Sequence, residues 1–185
     1  MSWIFDPQVL QQIVRDSLGH PLDKMIARIT GQLRERYPGH IQAHPEWVLN
    51  NAGGAMGQML LLHASLTEYV IIFGSPVGTE GHSGRFHADD YFCILDGEQW
   101  AYDEGQLERS VYRPGDLHLM PRGTARGYRF PDRCYALEYA RGNIPLMLPF
   151  GLADSFTSTM DAKTVWKTLK VYAKCVTSEL LQGKI

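Results

Sequence analysis

The chain has 185 residues, 44% of them apolar, and a formal net charge of −2. This nearly balanced charge forms neither a basic stripe nor an acidic tail, which argues against a nucleic-acid partner. The three cysteines, Cys93, Cys134 and Cys175, are widely spaced and outside any CxxC pattern. They therefore argue against a disulfide framework or a zinc site and favour a reducing compartment. The sequence contains no recognisable signal peptide and no run of about 18 apolar residues, the length that a membrane-spanning helix requires.

The apolar periodicity predicts helices first, then strands, then helices again. Residues 7–37 have apolar residues at helical spacing and predict one or two helices, whereas the glycine-rich stretch 47–62 is ambiguous. From 65 to 140, short runs separated by turn residues predict an antiparallel barrel or sandwich. The segment after it predicts an amphipathic, basic helix. Because no linker or repeat interrupts the chain, we expect a single domain, 1–185, made of N-terminal helices (1–45), a barrel (46–145) and C-terminal helices (146–185).

One segment, "PGDLHLMPRGTAR", fits the second cupin motif, G-x5-P-x-G-x2-H, except that Arg126 replaces the metal-binding histidine. The first cupin motif is matched only partly, by His87 and Asp89. A guanidinium places a permanent positive charge where a cation would bind, so the sequence predicts no metal and no cofactor. The histidines His82, His87 and His118 are instead expected to lie in the barrel wall and to pair with backbone or water.

Three longer segments carry a more specific resemblance: "NNAGGAMGQMLLLHASLTEYVIIFGSPVGTEGHSGRF", "YRPGD" and "ALEYARGNIPLMLPFGLADSF". They closely resemble the family of fungal C-8 sterol isomerases and sigma (type 1) receptors. The resemblance implies an α+β, mainly β fold, in which a cupin-like antiparallel β-barrel encloses a hydrophobic pocket. It also implies C-terminal helices that lie against a membrane and a homotrimer. Members usually begin with a membrane-spanning helix, which this sequence does not contain.

The resemblance also assigns pocket residues by position. The essential pocket glutamate of the family corresponds to Glu138, and its pocket tyrosine corresponds to Tyr69. The second pocket acid of the receptor branch corresponds to Phe92, so that assignment cannot be transferred. The adjacent acids in "ADDYF" are more like those of the isomerase branch.

Strand alternation selects between these two acids. If Phe92 faces the pocket, Asp90 faces it too, and Asp89 faces away unless a bulge shifts the register. We therefore expect Glu138 and Asp90 to be catalytic. Asp89, Glu68 and His118 are structural or register alternatives, and Glu68 is expected to be buried for a structural reason. The residues expected to bind substrate are Tyr69, Phe86, Phe92, Met59, Leu61, Ile71, Phe73, Phe130 and Leu148.

Two carboxyl groups in an apolar cavity share one proton, because both cannot ionise cheaply. As the resemblance implies, such a pair would protonate a ring alkene of a sterol or related polycyclic lipid and remove a proton from the neighbouring carbon. The alternatives are a binding protein for hydrophobic amines or lipids without catalysis and, more remotely, a metal-dependent cupin. The C-terminal helices are expected to hold the protein peripherally on a membrane surface, at its cytoplasmic side or on an endoplasmic-reticulum-like membrane.

Overall fold

The computed structural model describes residues 3–184 of the chain. Two N-terminal helices come first, α1 at Pro7–Arg15 and α2 at Leu22–Arg36. Helix α1 begins where it does because Asp6 caps it: the Asp6 carboxylate accepts a hydrogen bond from the Gln8 N–H at 2.8 Å. The predicted helical region is thus two helices, and one face of each is buried.

The described residues then form antiparallel strands in two sheets. The six-stranded sheet has the order β1-β2-β3-β10-β5-β8, and the four-stranded sheet has the order β4-β9-β6-β7. The strand bounds are β1 Trp47–Ala52, β2 Ala55–Ala64, β3 Glu68–Ser75, β4 Thr79–His82, β5 Ala88–Asp96, β6 Gln99–Tyr102, β7 Ser110–Tyr112, β8 Leu117–Met120, β9 Gly127–Phe130 and β10 Cys134–Gly142.

The expected mainly β, antiparallel fold with flanking helices is confirmed, but the barrel is not closed. Backbone hydrogen bonds join strands only within each sheet, so two separate sheets face each other across the interior. Sequence periodicity identifies strands but carries no information on whether the last strand pairs with the first. Of the two predicted arrangements, barrel or sandwich, the structure has the two facing sheets of a sandwich.

The ambiguous stretch 47–62 is a β-hairpin of β1 and β2. Its turn contains Gly53, whose φ of 62° lies in the left-handed region. A side chain at Gly53 would also collide with the carbonyl oxygen of His82, because a Cβ would lie 2.1 Å from that atom. Glycine is thus required here by both backbone conformation and close packing, which explains why the segment lacks a clear strand pattern.

Each face of the six-stranded sheet packs against a different layer. Leu60 and Leu62 of β2 face outward and pack with buried residues of α1 and α2, including Val14 and Leu33. The opposite face of the same strands turns toward the four-stranded sheet. Because side chains alternate along the strands, one face of the sheet forms a core with the helices. The other face lines the space between the two sheets.

Two further helices close the structure after a short 3-10 helix at Pro145–Met147: α3, Leu148–Thr157, and α4, Ala162–Leu181. The last helix was expected to be amphipathic, and the apolar side chains of α4 are buried to different extents. Val176 is buried, whereas Trp166 is 70% exposed. Within residues 3–184, no helix combines the length and the apolar character needed to cross a membrane.

Candidate active site

A cavity of about 190 Å³ lies between the two sheets. Its wall is mainly apolar, and the C-terminal helices contribute to it through residues such as Phe150, Thr168 and Tyr172. All the residues that were predicted to bind substrate border this cavity: Met59, Leu61, Tyr69, Ile71, Phe73, Phe86, Phe92, Phe130 and Leu148. Whether they bind a substrate remains a prediction.

The two predicted catalytic acids are neighbours within this cavity. Glu138 lies on β10, directly opposite Phe92 of β5, and Asp90 lies opposite Ala140 in the same antiparallel pair. Glu138 and Asp90 are thus diagonal neighbours on one face of the sheet. Both border the cavity and are buried.

Asp89 faces the opposite side, as strand alternation predicts. One of its carboxylate oxygens accepts the Arg122 N–H at 3.0 Å, and the other lies 3.9 Å from Nε of Arg141. The only register shift between β5 and β10 lies near Tyr135, beyond the acids. No bulge therefore exchanges Asp89 and Asp90.

Tyr69 links the two acids. Its hydroxyl donates a hydrogen bond to Oε1 of Glu138 and lies 3.4 Å from Oδ2 of Asp90. The other oxygen of Asp90, Oδ1, is buried and has no hydrogen-bond partner. Because a tyrosine has a single hydroxyl hydrogen, it can donate to only one acid at a time, and the 3.4 Å contact with Asp90 is longer than a typical O–H···O hydrogen bond.

The electrostatics of the three groups follow from this geometry. Burial raises the pKa of Glu138 to about 7, although hydrogen bonds from Tyr69 and Asp90 act against that rise. Burial, and then the nearby Glu138, raise the pKa of Asp90 well above its usual range. Burial and the two acids likewise raise the pKa of Tyr69. The arrangement can therefore hold a protonated carboxyl group beside a carboxylate near neutral pH.

On the opposite face of the same strands, Glu68 forms a separate buried network. Its carboxylate accepts hydrogen bonds from the Ile4 N–H at 3.0 Å and the Tyr139 hydroxyl at 2.7 Å, and Lys184 Nζ lies 2.9 Å away. Burial opposes ionisation of Glu68, but its hydrogen bonds, led by that from Lys184, lower its pKa overall. Strands β3 and β10 are thus joined by two tyrosine–glutamate hydrogen bonds. Tyr69 contacts Glu138 on the cavity side of the sheet, and Tyr139 contacts Glu68 on the other side.

His118 also borders the cavity, on β8. Its ring is stacked between Phe92, at 5.0 Å between centroids, and Tyr112, at 3.9 Å. The Nε2 atom lies 3.4 Å from the side-chain oxygen of Gln99, whereas Nδ1 has no partner. We expected pairing with backbone or water, and the structure instead gives it a side-chain partner on one nitrogen. His82 does pair with backbone, because its Nδ1 accepts the Gly84 N–H at 2.9 Å.

The cupin metal positions do not form a ligand set. Asp89 faces away from the cavity, and the Arg126 guanidinium borders the cavity with its Nε 2.8 Å from Oδ1 of Asp103. Arg126 therefore places a positive charge where a metal cation would lie. That the protein uses no metal in this cavity remains a prediction.

Within residues 3–184, His40, His63 and Glu179 form the one group with metal-ligand spacing, and it lies outside the cavity. Their candidate ligand atoms lie within 4.8 Å of one another. The three side chains already interact: His40 Nδ1 is 2.8 Å from Glu179, and His63 Nδ1 is 2.8 Å from the His40 carbonyl oxygen. These contacts connect the end of α4 to β2 and to the segment that precedes β1.

Sequence reasoning missed part of the cavity wall. Tyr128 on β9 and Val171 on α4 border the cavity, as do Phe150 and Tyr172, and none of them was predicted. Alternation could have identified Tyr128, because it lies two residues before Phe130 on the same strand. The helical residues carried no such signal, because which helix face meets the sheets depends on long-range packing.

Comparisons with known proteins relate the whole chain to one family. A family model described as "ERG2 and Sigma1 receptor like protein" matches residues 1–184. A C-8 sterol isomerase of Pyricularia oryzae is 47% identical over 187 residues, which cover 98% of this chain and 85% of that protein. A sigma non-opioid intracellular receptor 1 of Gallus gallus is 40% identical over 172 residues, 92% of this chain and 78% of that protein. Among solved structures, an RmlC-like cupin from Shewanella frigidimarina matches 51% of this chain and 84% of its own, with 15% identity and a TM-score of 0.43.

Proposed function

This chain belongs to the ERG2 and sigma-1 receptor family, and from that membership we propose that it is a sterol double-bond isomerase of the C-8 to C-7 type. The observation that carries the proposal is the group of Asp90, Tyr69 and Glu138 in an apolar cavity. A related polycyclic lipid with a ring alkene would present the same chemistry.

Asp90 is the acid and Glu138 the base. The hydrogen bond from Tyr69 stabilises the charged form of Glu138, so the shared proton resides on Asp90. Asp90 shares that proton with Glu138, and its unpartnered Oδ1 leaves one oxygen of the acid open to a substrate. The proposal thus assigns the acid role to Asp90 and the base role to Glu138, an order that the sequence left open.

The reaction proceeds in two proton transfers. The alkene π electrons take the proton of Asp90 and form a C–H bond, which leaves a tertiary carbocation on the other alkene carbon. Glu138 then removes a proton from the carbon next to the cation, and the released C–H electron pair forms the new double bond. One proton enters and one leaves, so the ring system keeps its formula, and transfer from Glu138 to Asp90 restores the starting state.

The cavity also stabilises the cation. When Asp90 has given up its proton, two carboxylates surround the developing positive charge in a low-dielectric environment. The apolar wall keeps water from the cation, because residues such as Ile71, Phe73 and Phe130 cover the cavity. Water capture, which would yield an alcohol, is therefore suppressed.

A second candidate is a binding protein for hydrophobic amines that performs no catalysis. The same carboxylates would pair with an ammonium, which resembles the carbocation in charge. The raised pKa of Asp90, caused by burial and by the nearby Glu138, favours the isomerase, because alkene protonation needs a protonated acid whereas an amine site needs only a carboxylate.

The proposal extends to peripheral association with a membrane surface, such as an endoplasmic-reticulum-like membrane. The apolar side chains of Phe156, Trp166 and Leu169 on α3 and α4 are exposed, and Lys163 and Lys170 lie exposed on α4 near them in sequence. Such a surface suits the boundary between headgroups and acyl chains. A homotrimer is proposed from the family resemblance, and light scattering of the purified protein would test it.

Turnover of a Δ8-unsaturated sterol by the purified protein tests the isomerase proposal. In D₂O the product should carry one deuterium per turnover, measured by mass spectrometry. Glu138→Gln and Asp90→Asn should each lower the rate by about 1,000-fold or more, because each removes one proton transfer. Glu80→Gln, at an exposed acid of β4, is the matched control. Turnover by either cavity variant within tenfold of the wild-type rate contradicts the mechanism.

A further inference from the structure

The cavity contains a second unsatisfied polar atom besides the one on Asp90. Among the buried side-chain nitrogen and oxygen atoms of residues 3–184, three lack a hydrogen-bond partner: His63 Nε2, Asp90 Oδ1 and His118 Nδ1. Two of the three belong to residues that border the cavity. Buried polar atoms are normally paired, so an unpaired one beside a cavity is available to a ligand that enters it.

His118 has a fixed orientation and a defined hydrogen-bonding role. Its ring is held between Phe92 and Tyr112, with interplanar angles of 10° and 14°. Its Nε2 faces the Gln99 oxygen, an acceptor, and so carries the ring hydrogen, which leaves Nδ1 as an acceptor. Burial, followed by the charge of Arg126, lowers the pKa of His118 to about 3, so the ring is neutral at physiological pH. It can therefore accept a hydrogen bond from a hydroxyl but does not act as a cationic acid.

Two other polar side chains that border the cavity, those of Arg126 and Ser83, are already engaged. The Arg126 guanidinium donates to Asp103 at 2.8 Å and 3.2 Å. The Ser83 hydroxyl donates to the Gly84 carbonyl oxygen and accepts the Arg126 N–H. Of these three side chains, His118 is the one whose buried acceptor atom has no partner.

The position of His118 relative to the acids suits a rigid ring system. His118 lies opposite Phe92 on β8, and Asp90 lies opposite Met120, so Asp90 and His118 are diagonal neighbours. Diagonal residues on one face of an antiparallel pair lie roughly 7–8 Å apart. A fused-ring substrate with its alkene beside Asp90 and Glu138 would therefore bring a hydroxyl on an adjoining ring to His118.

We propose that His118 is a positioning residue that accepts a hydrogen bond from a hydroxyl group of the substrate and so orients the alkene toward Asp90 and Glu138. The inference rests on the proposed function, because it takes the substrate to be a hydroxylated polycyclic lipid. It adds a requirement for a substrate hydroxyl, which the acids alone do not impose.

The test pairs protein variants with two substrates, a Δ8 sterol with a free 3-hydroxyl and its 3-deoxy analogue. His118→Phe keeps an aromatic ring for stacking but removes both nitrogens, and His118→Asn keeps an acceptor near the position of Nδ1. His44→Phe, at an exposed histidine, is the control. We expect His118→Phe to lower kcat/KM for the hydroxysterol by roughly 10- to 100-fold and for the deoxy analogue by less than about threefold. His118→Asn should recover part of the loss.

If His118→Phe lowers kcat/KM equally for both substrates, His118 only supports the fold. If kcat/KM is unchanged for both, His118 does not contact the substrate. Either result overturns the inference. Calorimetric binding of the same sterols separates the inference from the proposed function. If the wild type binds the hydroxysterol more tightly than the analogue and His118→Phe abolishes the difference, the inference holds even when no turnover is seen. If turnover is normal and the wild type does not discriminate between the two sterols, the inference fails while the isomerase stands.

Discussion

Glu138 and Asp90 are diagonal neighbours across the antiparallel pair of β10 and β5, and both point into one apolar cavity. Their closeness determines their ionisation, because two negative charges in a low-dielectric space repel strongly. One proton therefore stays in the pair over a range of pH that includes neutrality. The proposed mechanism depends on this shared proton.

The rate of isomerisation should have a bell-shaped pH dependence. Activity should rise as the pH increases through about 7, where Glu138 becomes a carboxylate, and should fall at higher pH as Asp90 loses its proton. Since a sterol alkene does not titrate, the profile of kcat/KM reports only the enzyme. Rates measured from pH 5 to 10 that are independent of pH would contradict the acid–base assignment.

Glu138→Gln should stabilise the protein at alkaline pH while it abolishes activity. The pKa of Glu138 is raised from its ordinary 4.5 to about 7 in the folded protein, so between these values the folded state binds more protons than the unfolded state. The wild-type free energy of unfolding therefore falls as pH rises across this window, by up to roughly 3 kcal/mol. The glutamine variant does not ionise and avoids that loss.

Urea denaturation at pH 5 and pH 8 measures the difference. The variant should gain stability over the wild type mainly at pH 8, whereas Glu80→Gln should change stability little at either pH. A glutamine variant less stable than the wild type at pH 8 would be inconsistent with a buried carboxylate at position 138.

Tyr69→Phe should slow turnover by roughly 10- to 100-fold, because it removes the hydrogen bond that holds Glu138 in its charged form. The pKa of Glu138 should rise, and the acidic limb of the pH profile should move to higher pH. Tyr102→Phe, at an exposed tyrosine, provides the control. A uniform loss of activity with an unchanged pH profile would show that Tyr69 has only a packing role.

Glu68→Gln should destabilise the fold without changing the chemistry. The substitution leaves Lys184 beside a neutral group in a buried network, and breaking such a pair typically costs about 3–5 kcal/mol. Chemical denaturation should show the loss, whereas kcat of the folded fraction should remain near that of the wild type. A loss of kcat at full stability would instead place Glu68 in the reaction.

The exposed apolar side chains of α4 should govern binding to lipid vesicles. Changing both Trp166 and Leu169 to glutamate should weaken vesicle binding by about tenfold or more, because each side chain contributes roughly 1.5–3 kcal/mol when buried. Flotation with liposomes measures this binding. Leu107→Glu, at a fully exposed loop residue, should leave it unchanged, and equal effects of the two changes would argue against a specific membrane-facing surface.

From the sequence, the directions of the site's side chains could be predicted, but how the sheets and helices enclose the cavity could not. Alternation placed Asp90 inward and Asp89 outward because β5 is regular across the acids. The same reasoning could not decide whether the sheets close into a barrel. Nor could it identify Tyr172 or Phe150 in the cavity wall, because those positions depend on how α3 and α4 pack over the strands.

For Glu68, too, the sequence predicted a local property, burial, but not the distant residues that contact it. A charged residue in an apolar strand indicated burial with partners, and the structure supplies them from Ile4, Tyr139 and Lys184. These partners lie 64, 71 and 116 positions away in the chain, so no local pattern could have named them. In contrast, His118 could be assigned to a strand from sequence, but its unpaired nitrogen is visible only in three dimensions.

The two reciprocal tyrosine–glutamate contacts between β3 and β10 make these strands more sensitive to insertions and deletions than to substitutions. Tyr69 reaches Glu138 on one face, and Tyr139 reaches Glu68 on the other. Loss or gain of a single residue within β3 would turn Glu68 toward the cavity and Tyr69 away from it in one step, which breaks both contacts together. Directed-evolution libraries for altered substrate range should therefore vary side chains in these strands while keeping their length constant.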